Sequence, residues 1–353
     1  MTRIAVDAMG GDYAPSEIVK GAVWAAHDYN VAIELVGQVD KIQEVLDVIA
    51  KKGIRANRTG YFVGKNIKVD LSKLDIKLTQ ADEIIEMGEA PGVAIRKKKN
   101  SSIVLTVDAV AKGSSDAVVA AGSTGAAMAS SLFGLGRLKG IERPAIAATL
   151  PTRKEPVILI DAGANSACTP EMLFQFATMG SIFAKEVYNR ENPKIGVMNI
   201  GEEEEKGNQL VKDTHKLLKE NTIGLDFIGN IEGKEMFSGD VDVVVCDGFV
   251  GNVALKAIEG SAMMLFTLIK EEFMKDWVSK TVGMLAKPFL RRLYKRINYE
   301  EFGGALLLGV KGITVISHGR SSSYAIRNAV RVAKEAVETG VNKKIAELIN
   351  KRL

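Results

Sequence analysis

The amino-acid sequence predicts an α/β fold on a buried parallel sheet, and three observations carry that expectation. Short runs rich in Val and Ile stop five times in clusters of Gly, Asp, Asn and Ser: IAVDAMGGD from Ile4, AVVAAGSTGA from Ala117, VILIDAGANS from Val157, IGVMNIGEEEEKGN from Ile195 and VDVVVCDGFVGN from Val241. Each run is followed by a stretch of helical period, the alternation that buries strands between layers of helix. The 353 residues, 46% hydrophobic and 25% charged, are enough to bury a large core in one unit or two joined halves. Ligands in such sheets sit beyond the carboxyl ends of the strands, so the polar clusters are expected to meet in one cleft. Glycines there admit close backbone approach, and the helix N-termini that follow offer unpaired N–H groups, so the expected ligand is an anion such as phosphate.

The elements follow in order. A strand over Thr2 to Asp7 leads to a helix opening near Pro15; Val31 to Val36 gives a second strand, followed by a helix that ends at Gly53. Gly53 to Gln80 has no clear period. A basic run, Arg96 to Lys99, precedes a helix over Ser101 to Ala111, and strand and helix then alternate regularly through Gly251. Asn252 to Arg296 reads as a helical excursion broken around Lys280 to Pro288, ending near residue 300. The chain re-enters the body with EFGGALLLGVKGITVISHGRSS and closes on an amphipathic helix, Ser322 to Thr339. No Pro/Gly/Ser-rich linker or fixed-period repeat divides it, so residues 1–353 read as one domain.

Composition removes several classes. A net charge of +4 falls short of the dense basic stripe of a nucleic-acid binder. Two cysteines, Cys168 and Cys246, give neither a disulfide framework nor a Cys-rich metal site, and three scattered histidines give no zinc spacing. No bound metal or cofactor is expected. The Walker phosphate loop is missing, and GLGRLKG at Gly134 to Gly140 has the wrong final spacing for a dinucleotide fingerprint. The N-terminus enters a strand at once, and no uninterrupted apolar stretch of roughly 18 residues is expected to span a bilayer, so the expected location is cytoplasmic.

Seven strings taken in order, VDAMGGD, AGSTGA, DAGAN, NIGEEEEKGN, CDGFVGN, EFGGALLLG and SHGRSS, span Val6 to Ser322. Together they make the chain resemble the bacterial acyl carrier protein-dependent phosphate acyltransferase (PlsX) family. The resemblance implies transfer of a fatty acyl group from acyl carrier protein to inorganic phosphate, giving an acyl phosphate for phospholipid synthesis. It also implies a three-layer α/β/α fold with a mixed, mostly parallel sheet, like isopropylmalate dehydrogenase and phosphotransacetylase, usually as a homodimer.

The residue chemistry is compatible with such a reaction. A thiolate is a tolerable leaving group, since a free thiol has a pKa of about 8.5. The harder task is to hold a phosphate dianion beside a developing oxyanion, which calls for preorganised N–H donors and a cation. Lys206, near an expected helix start, and Asn252, in DGFVGN, are the candidate catalytic pair. Lys206 also reads as a surface lysine balancing Glu202 to Glu205, and Asn252 as an N-cap. The candidate phosphate and substrate set begins with Asp7, Gly10, Gly11 and Asp12 in the first loop and Gly122, Ser123 and Thr124 in the second. Asn165, Asp247, Gly251 and His318 complete it. Asp7, Asp161 and Asp247 also read as turn formers, Asp12 as a cap, Asn165 as a loop brace and His318 as a packing residue. An acyl-cysteine intermediate on Cys168 or Cys246 is disfavoured, because phosphate is already an adequate nucleophile.

Between Lys275 and Arg296 seven cations face one acid, Asp276, among Trp277, Val278, Val282, Met284, Leu285, Phe289 and Leu290. That mixture suits an anionic membrane surface, with Trp277, Val282 and Leu285 as contacts, or else a dimer contact. Arg96 to Lys99 is either a landing site for acidic acyl carrier protein or a solvated face. Two other readings stay open: a short-chain phosphate acyltransferase using coenzyme A, and a non-catalytic membrane platform for acyl carrier protein.

Overall fold

The computed structural model describes residues 1–58, 62–221 and 224–352. β1 (Arg3–Asp7), α1 (Ser16–Tyr29), β2 (Ala32–Gly37) and α2 (Val39–Lys52) are followed by a small hairpin, β3 (Ile54–Arg58) and β4 (Phe62–Ile67), and then β5 (Ile76–Gln80). Next come α3 (Pro91–Lys97), α4 (Ser102–Ala111), β6 (Ala117–Ala120), α5 (Thr124–Gly134), β7 (Ala145–Leu150) and β8 (Val157–Ile160). The chain continues with α6 (Pro170–Tyr188), β9 (Lys194–Met198), α7 (Gln209–Glu220), β10 (Asp226–Ile231) and β11 (Val243–Val245). It ends with α8 (Gly248–Met274), α9 (Trp277–Ile297), β12 (Ala305–Leu308), β13 (Ile313–Ile316), α10 (Ser323–Thr339) and α11 (Val341–Arg352).

Eleven strands form one sheet in the order β10-β9-β11-β8-β7-β12-β13-β6-β1-β2-β5. Strands β2, β6, β7, β8 and β11 are buried along their full length, which is why they read as unbroken apolar runs rather than as alternation. The one charged residue in them is Glu34 on β2, only 1% exposed. Its carboxylate accepts from Lys77 Nζ (2.8 Å), Thr79 Oγ1 (2.7 Å) and Ser115 Oγ (2.8 Å), tying β2 to β5 and to the turn before β6.

The sheet is mixed at its centre. β12 runs antiparallel to both neighbours, β13 and β7, and β7 is in turn antiparallel to β8. Two blocks of parallel strands therefore point in opposite directions: β1, β6 and β13 one way, β8, β11 and β9 the other. The expectation that all five polar clusters share one cleft at a single sheet edge is corrected here. The first two leave one edge and the last three the opposite edge.

Helix boundaries follow local chemistry. Ser123, Thr169, Asn208, Asp247, Asp276 and Ser322 each place a side-chain oxygen on an N–H of the helix that follows. The helical excursion breaks at Lys275 and Asp276, not around Lys280 to Pro288. Asp276 Oδ1 accepts from the Ser279 N–H at 2.8 Å and starts α9. Pro288 lies inside α9. The carbonyl it leaves without a partner, four residues earlier at Met284, belongs to a residue 71% exposed, where water can satisfy it. The amphipathic helix α10 ends at Gly340 in the left-handed region (φ 64°), and α11 follows it, an element the sequence reading lacked. Among the described residues α8 is the one helix long and apolar enough to cross a membrane. Lys256 and Glu259 interrupt it near its N-terminal end.

Candidate active site

A cavity of about 420 Å3 lies over the central strands, between α5 and α8. Its floor is Ile146, Ala148 and Leu150, alternate residues that share one face of β7, with Ala305 and Ile316 beside them. Thr124, Gly125 and Met128 of α5 form one wall, and Asn252, Leu255, Lys256 and Glu259 of α8 the other. Gly122, Gly163, His318 and Gly319 complete the rim. Residues from opposite sheet edges meet in this gap.

Each predicted residue has a definite place. Gly10 stacks on Gly122 so closely that a Cβ would meet Gly122 N at 3.0 Å and Asp7 Oδ2 at 2.5 Å. Gly11, with φ +103°, lies against the carbonyls of Ala121 and Gly319. The Asp12 N–H donates to Gly319 O at 2.8 Å, and the Asp12 carboxylate pairs with Arg320 at 3.6 Å. These contacts bind the loops after β1, β6 and β13 into one block. Asp7 is buried and faces, with Ser123, a small void of about 10 Å3 next to the cavity. Burial pushes its carboxyl above the usual range, against bonds from Ser102, Met9 and Gly10. Ser123 caps α5, its Oγ accepting the Ala126 N–H at 3.4 Å, while Thr124 lines the cavity at the helix N-terminus.

In the second half, Asp161 organises the loop after β8. Its carboxylate accepts from the backbone N–H groups of Ile146, Gly163, Ala164 and Asn165 and from Asn165 Nδ2. Burial raises its pKa and those bonds oppose the rise. Asn165 also donates to Pro144 O at 2.7 Å, so it braces this loop and does not line the cavity. Asp247 caps α8, accepting from Phe249 and Val250 at 2.9 Å each, and it too stands outside the cavity. Gly251 presses α8 against β8, where a Cβ would meet Asp161 O at 2.0 Å. That contact sets Asn252 over Gly163, whose own Cβ would meet Asn252 Cγ at 3.3 Å.

Lys206 is exposed on the loop after β9. The N-cap of α7 is Asn208, so Lys206 precedes the helix rather than starting it. Its backbone carbonyl accepts from Asn199 Nδ2 at 3.1 Å, and its chain lies against Gly201. β9 neighbours β11 in parallel, so Lys206 leaves the same sheet edge as Asp247 but does not line the cavity. His318 is at the rim, its Nε2 4.0 Å from Glu259. Burial pushes the Glu259 carboxyl up, opposed by His318 and Lys256.

Lys256, Glu259 and Glu300 line the cavity and were not singled out from sequence. Lys256 and Glu259 stand four and seven residues after Asn252, one helical face, and that spacing would have found them. Glu300, 1% exposed and bonded to Ser322 Oγ at 2.8 Å, carries no local signal. Burial and the nearby Asp161 push the Cys168 thiol up to about 12, and burial raises that of Cys246 well above its ordinary value. Neither is a ready nucleophile. In the basic run, Lys98 is engaged, donating to Glu89 at 2.5 Å and to Ile84 O at 2.8 Å. Trp277 is 79%, Val282 50% and Leu285 74% exposed on α9.

Residues 2–344 match the family model described as "Fatty acid synthesis protein". The chain is 49% identical over 336 residues to a phosphate acyltransferase of Pelotomaculum thermopropionicum, covering 95% of this chain and 92% of that protein. It is 47% identical over 350 residues to a phosphate acyltransferase of Dictyoglomus thermophilum, covering 99% and 98%. Among solved structures, a phosphotransacetylase from Streptococcus pyogenes superposes with a TM-score of 0.59 at 14% identity, covering 96% of this chain and 94% of that one. EutD phosphotransacetylase from Staphylococcus aureus gives 0.57 at 14% identity, covering 95% and 94%. These likenesses are of fold, and they match the expected mixed α/β architecture. The near full-length identity to phosphate acyltransferases is of another order, and on it the chain belongs to the fatty acid synthesis protein family of phosphate acyltransferases.

Proposed function

We propose that this chain transfers a long-chain acyl group from acyl carrier protein to inorganic phosphate, without an intermediate on the protein, making acyl phosphate for phospholipid synthesis. The observation that carries the reading is the cavity in which Thr124 and Gly125, at a helix N-terminus, face Asn252 across bare glycines. Phosphate held at the α5 N-terminus meets unpaired N–H groups and the Thr124 hydroxyl. One phosphate oxygen attacks the thioester carbon, a C–O bond forms, and the C–S bond breaks with its electron pair leaving on the pantetheine sulfur. The Asn252 amide donates to the carbonyl oxygen as charge develops there, and Lys206 supplies the cation from its neighbouring loop. The high thiol pKa values of Cys168 and Cys246 favour this direct route over an acyl-cysteine.

The reading extends to one domain acting as a cytoplasmic homodimer on the inner face of the cell membrane, with α9 turned toward anionic lipid. Trp277 and Leu285 stand exposed beside a file of cations, a pattern suited to headgroup depth. The test is incubation of hexadecanoyl acyl carrier protein with phosphate and trapping of acyl phosphate by hydroxylamine, with hexadecanoyl coenzyme A in parallel. Phosphate-dependent hydroxamate from the carrier-protein donor is expected. Product from coenzyme A alone, or none from either donor, would refute the reading.

A further inference from the structure

A second apolar hollow of about 480 Å3 adjoins the cavity and shares Leu150 and Glu259 with it. It runs between α8 and the final turns of α9, walled by Pro151, Phe237, Ile258, Ala262, Leu293 and Ile297. Its polar lining residues are Thr152, Arg153, Glu259 and Arg296, and Arg296 donates to the carbonyl of Arg153. One helical turn beyond Ala262, Phe266 packs edge-to-face on Tyr294 of α9, 5.0 Å between centroids. The other walls are hydrocarbon, which an unbranched aliphatic chain fills without needing polar partners.

We infer that this groove holds the acyl tail of the donor, an inference that rests on the acyltransferase reading above. A thioester carbonyl beside Asn252 has its tail at the junction formed by Glu259 and Leu150. The way out along α8 passes Ile258 and Ala262. From Asn252 to Ala262 the helix rises about 15 Å, the reach of roughly a dozen methylenes. The groove also points the tail toward the exposed apolar end of the α8–α9 hairpin, where Met274 and Trp277 are 57% and 79% exposed. An acyl phosphate drawn out along this line emerges tail first. Burying successive methylenes in such a groove raises kcat/KM by up to about fourfold each until the groove is full.

The test measures kcat/KM for acyl carrier proteins loaded with butanoyl, octanoyl, dodecanoyl and hexadecanoyl groups. Ala262→Leu and Ala262→Trp narrow the groove in two steps. The hexadecanoyl to butanoyl ratio should fall in graded fashion, by roughly 30-fold or more in the tryptophan variant. Leu265→Trp, on the exposed side of the same helix, should leave the ratio as in the parent. An unchanged ratio in Ala262→Trp, or an equal fall in Leu265→Trp, would overturn the assignment. Fluorescence of cis-parinaric acid reads the groove without the transfer reaction. Saturable binding lost in Ala262→Trp supports the groove even if no donor proves active, whereas its persistence there overturns the groove and leaves the transfer reading intact.

Discussion

Replacing Gly251 by Ala is the sharpest probe of how α8 positions the site. A Cβ there would lie 2.0 Å from the carbonyl oxygen of Asp161, 3.0 Å from its carbon and 3.0 Å from Cys246 Sγ. The nearest atom is backbone, fixed by a carboxylate holding five donors, so the helix must move. Ordinary contact begins near 3.4 Å, so the shift needed is about 1.4 Å. Overpacking of this kind costs typically 1–3 kcal/mol. Because Asn252 is the next residue, its amide moves too, and a misplacement of about 1 Å costs roughly 100-fold in rate. The expectation is therefore a folded variant, destabilised by about 1–3 kcal/mol, with turnover down roughly 100-fold. Gly260→Ala on the same helix meets nothing within 4 Å, so it serves as the control and should match or slightly exceed the parent in stability. Urea unfolding and release of the carrier-protein thiol in the presence of phosphate give the two numbers. A Gly251→Ala enzyme within threefold of the parent would mean that Asn252 need not be held where it is and that α8 does not position the chemistry.

Four further outcomes are expected. Lys206→Ala and Asn252→Ala should each lower turnover by roughly 100-fold or more with little change in melting temperature, as loss of one charge-stabilising donor does; near-normal turnover in both would remove them from the chemistry. Cys168→Ser and Cys246→Ser should retain most activity, and no labelled acyl group should stay on denatured protein when phosphate is omitted. Polar replacement of Trp277, Val282 and Leu285 together should abolish sedimentation with anionic vesicles, each buried apolar side chain being worth about 1.5–3 kcal/mol, whereas dissociation or unfolding would make the hairpin structural. At Glu34 burial raises the pKa, but the bonds from Lys77, Thr79 and Ser115 outweigh it and hold the carboxyl below its ordinary value. Its stabilisation is then present at neutral pH and lost as pH falls through the lowered value, so Glu34→Gln should be less stable than the parent at pH 7 in urea titrations. That gap should begin to narrow as pH falls through the ordinary glutamate value of about 4.3 and close only below the lowered native value.

The fold was legible where burial makes sequence redundant. β1, β6, β8, β9 and β11 announced themselves as runs rich in Val and Ile, and Ser123 and Ser322 cap helices where helices were expected to start, whereas α8 is capped at Asp247, five residues before the Asn252 cap that the sequence offered. The direction of the strands was not legible, because a fully buried parallel strand and a fully buried antiparallel one have the same composition. Reversal at β7 and β12 is a fact of pairing, and it sent the five clusters to two edges. The site divided in the same way. Gly122, Thr124, Asn252 and His318 line the cavity, but Asn165, Asp161 and Asp247 hold loops, since a carboxylate or amide at a strand end finds backbone N–H groups nearer than any ligand. Lys256 and Glu259 belong to no short motif; what marks them is the helical face that begins at Asn252.

The strand order has a consequence for how the chain is made. β12 and β13 occupy the middle of the sheet, between β7 and β6, yet they are encoded after residue 304 of 353. Until they leave the ribosome, the two half-sheets have open inner edges and no bridge between them. Closing those edges requires contacts across nearly two hundred residues of chain, from Ile313 back to Ala117, a slow search by loop-closure reasoning. A nascent chain stalled in the α8–α9 hairpin would present unpaired strand edges beside its most exposed apolar helix. Such a species invites aggregation or chaperone capture.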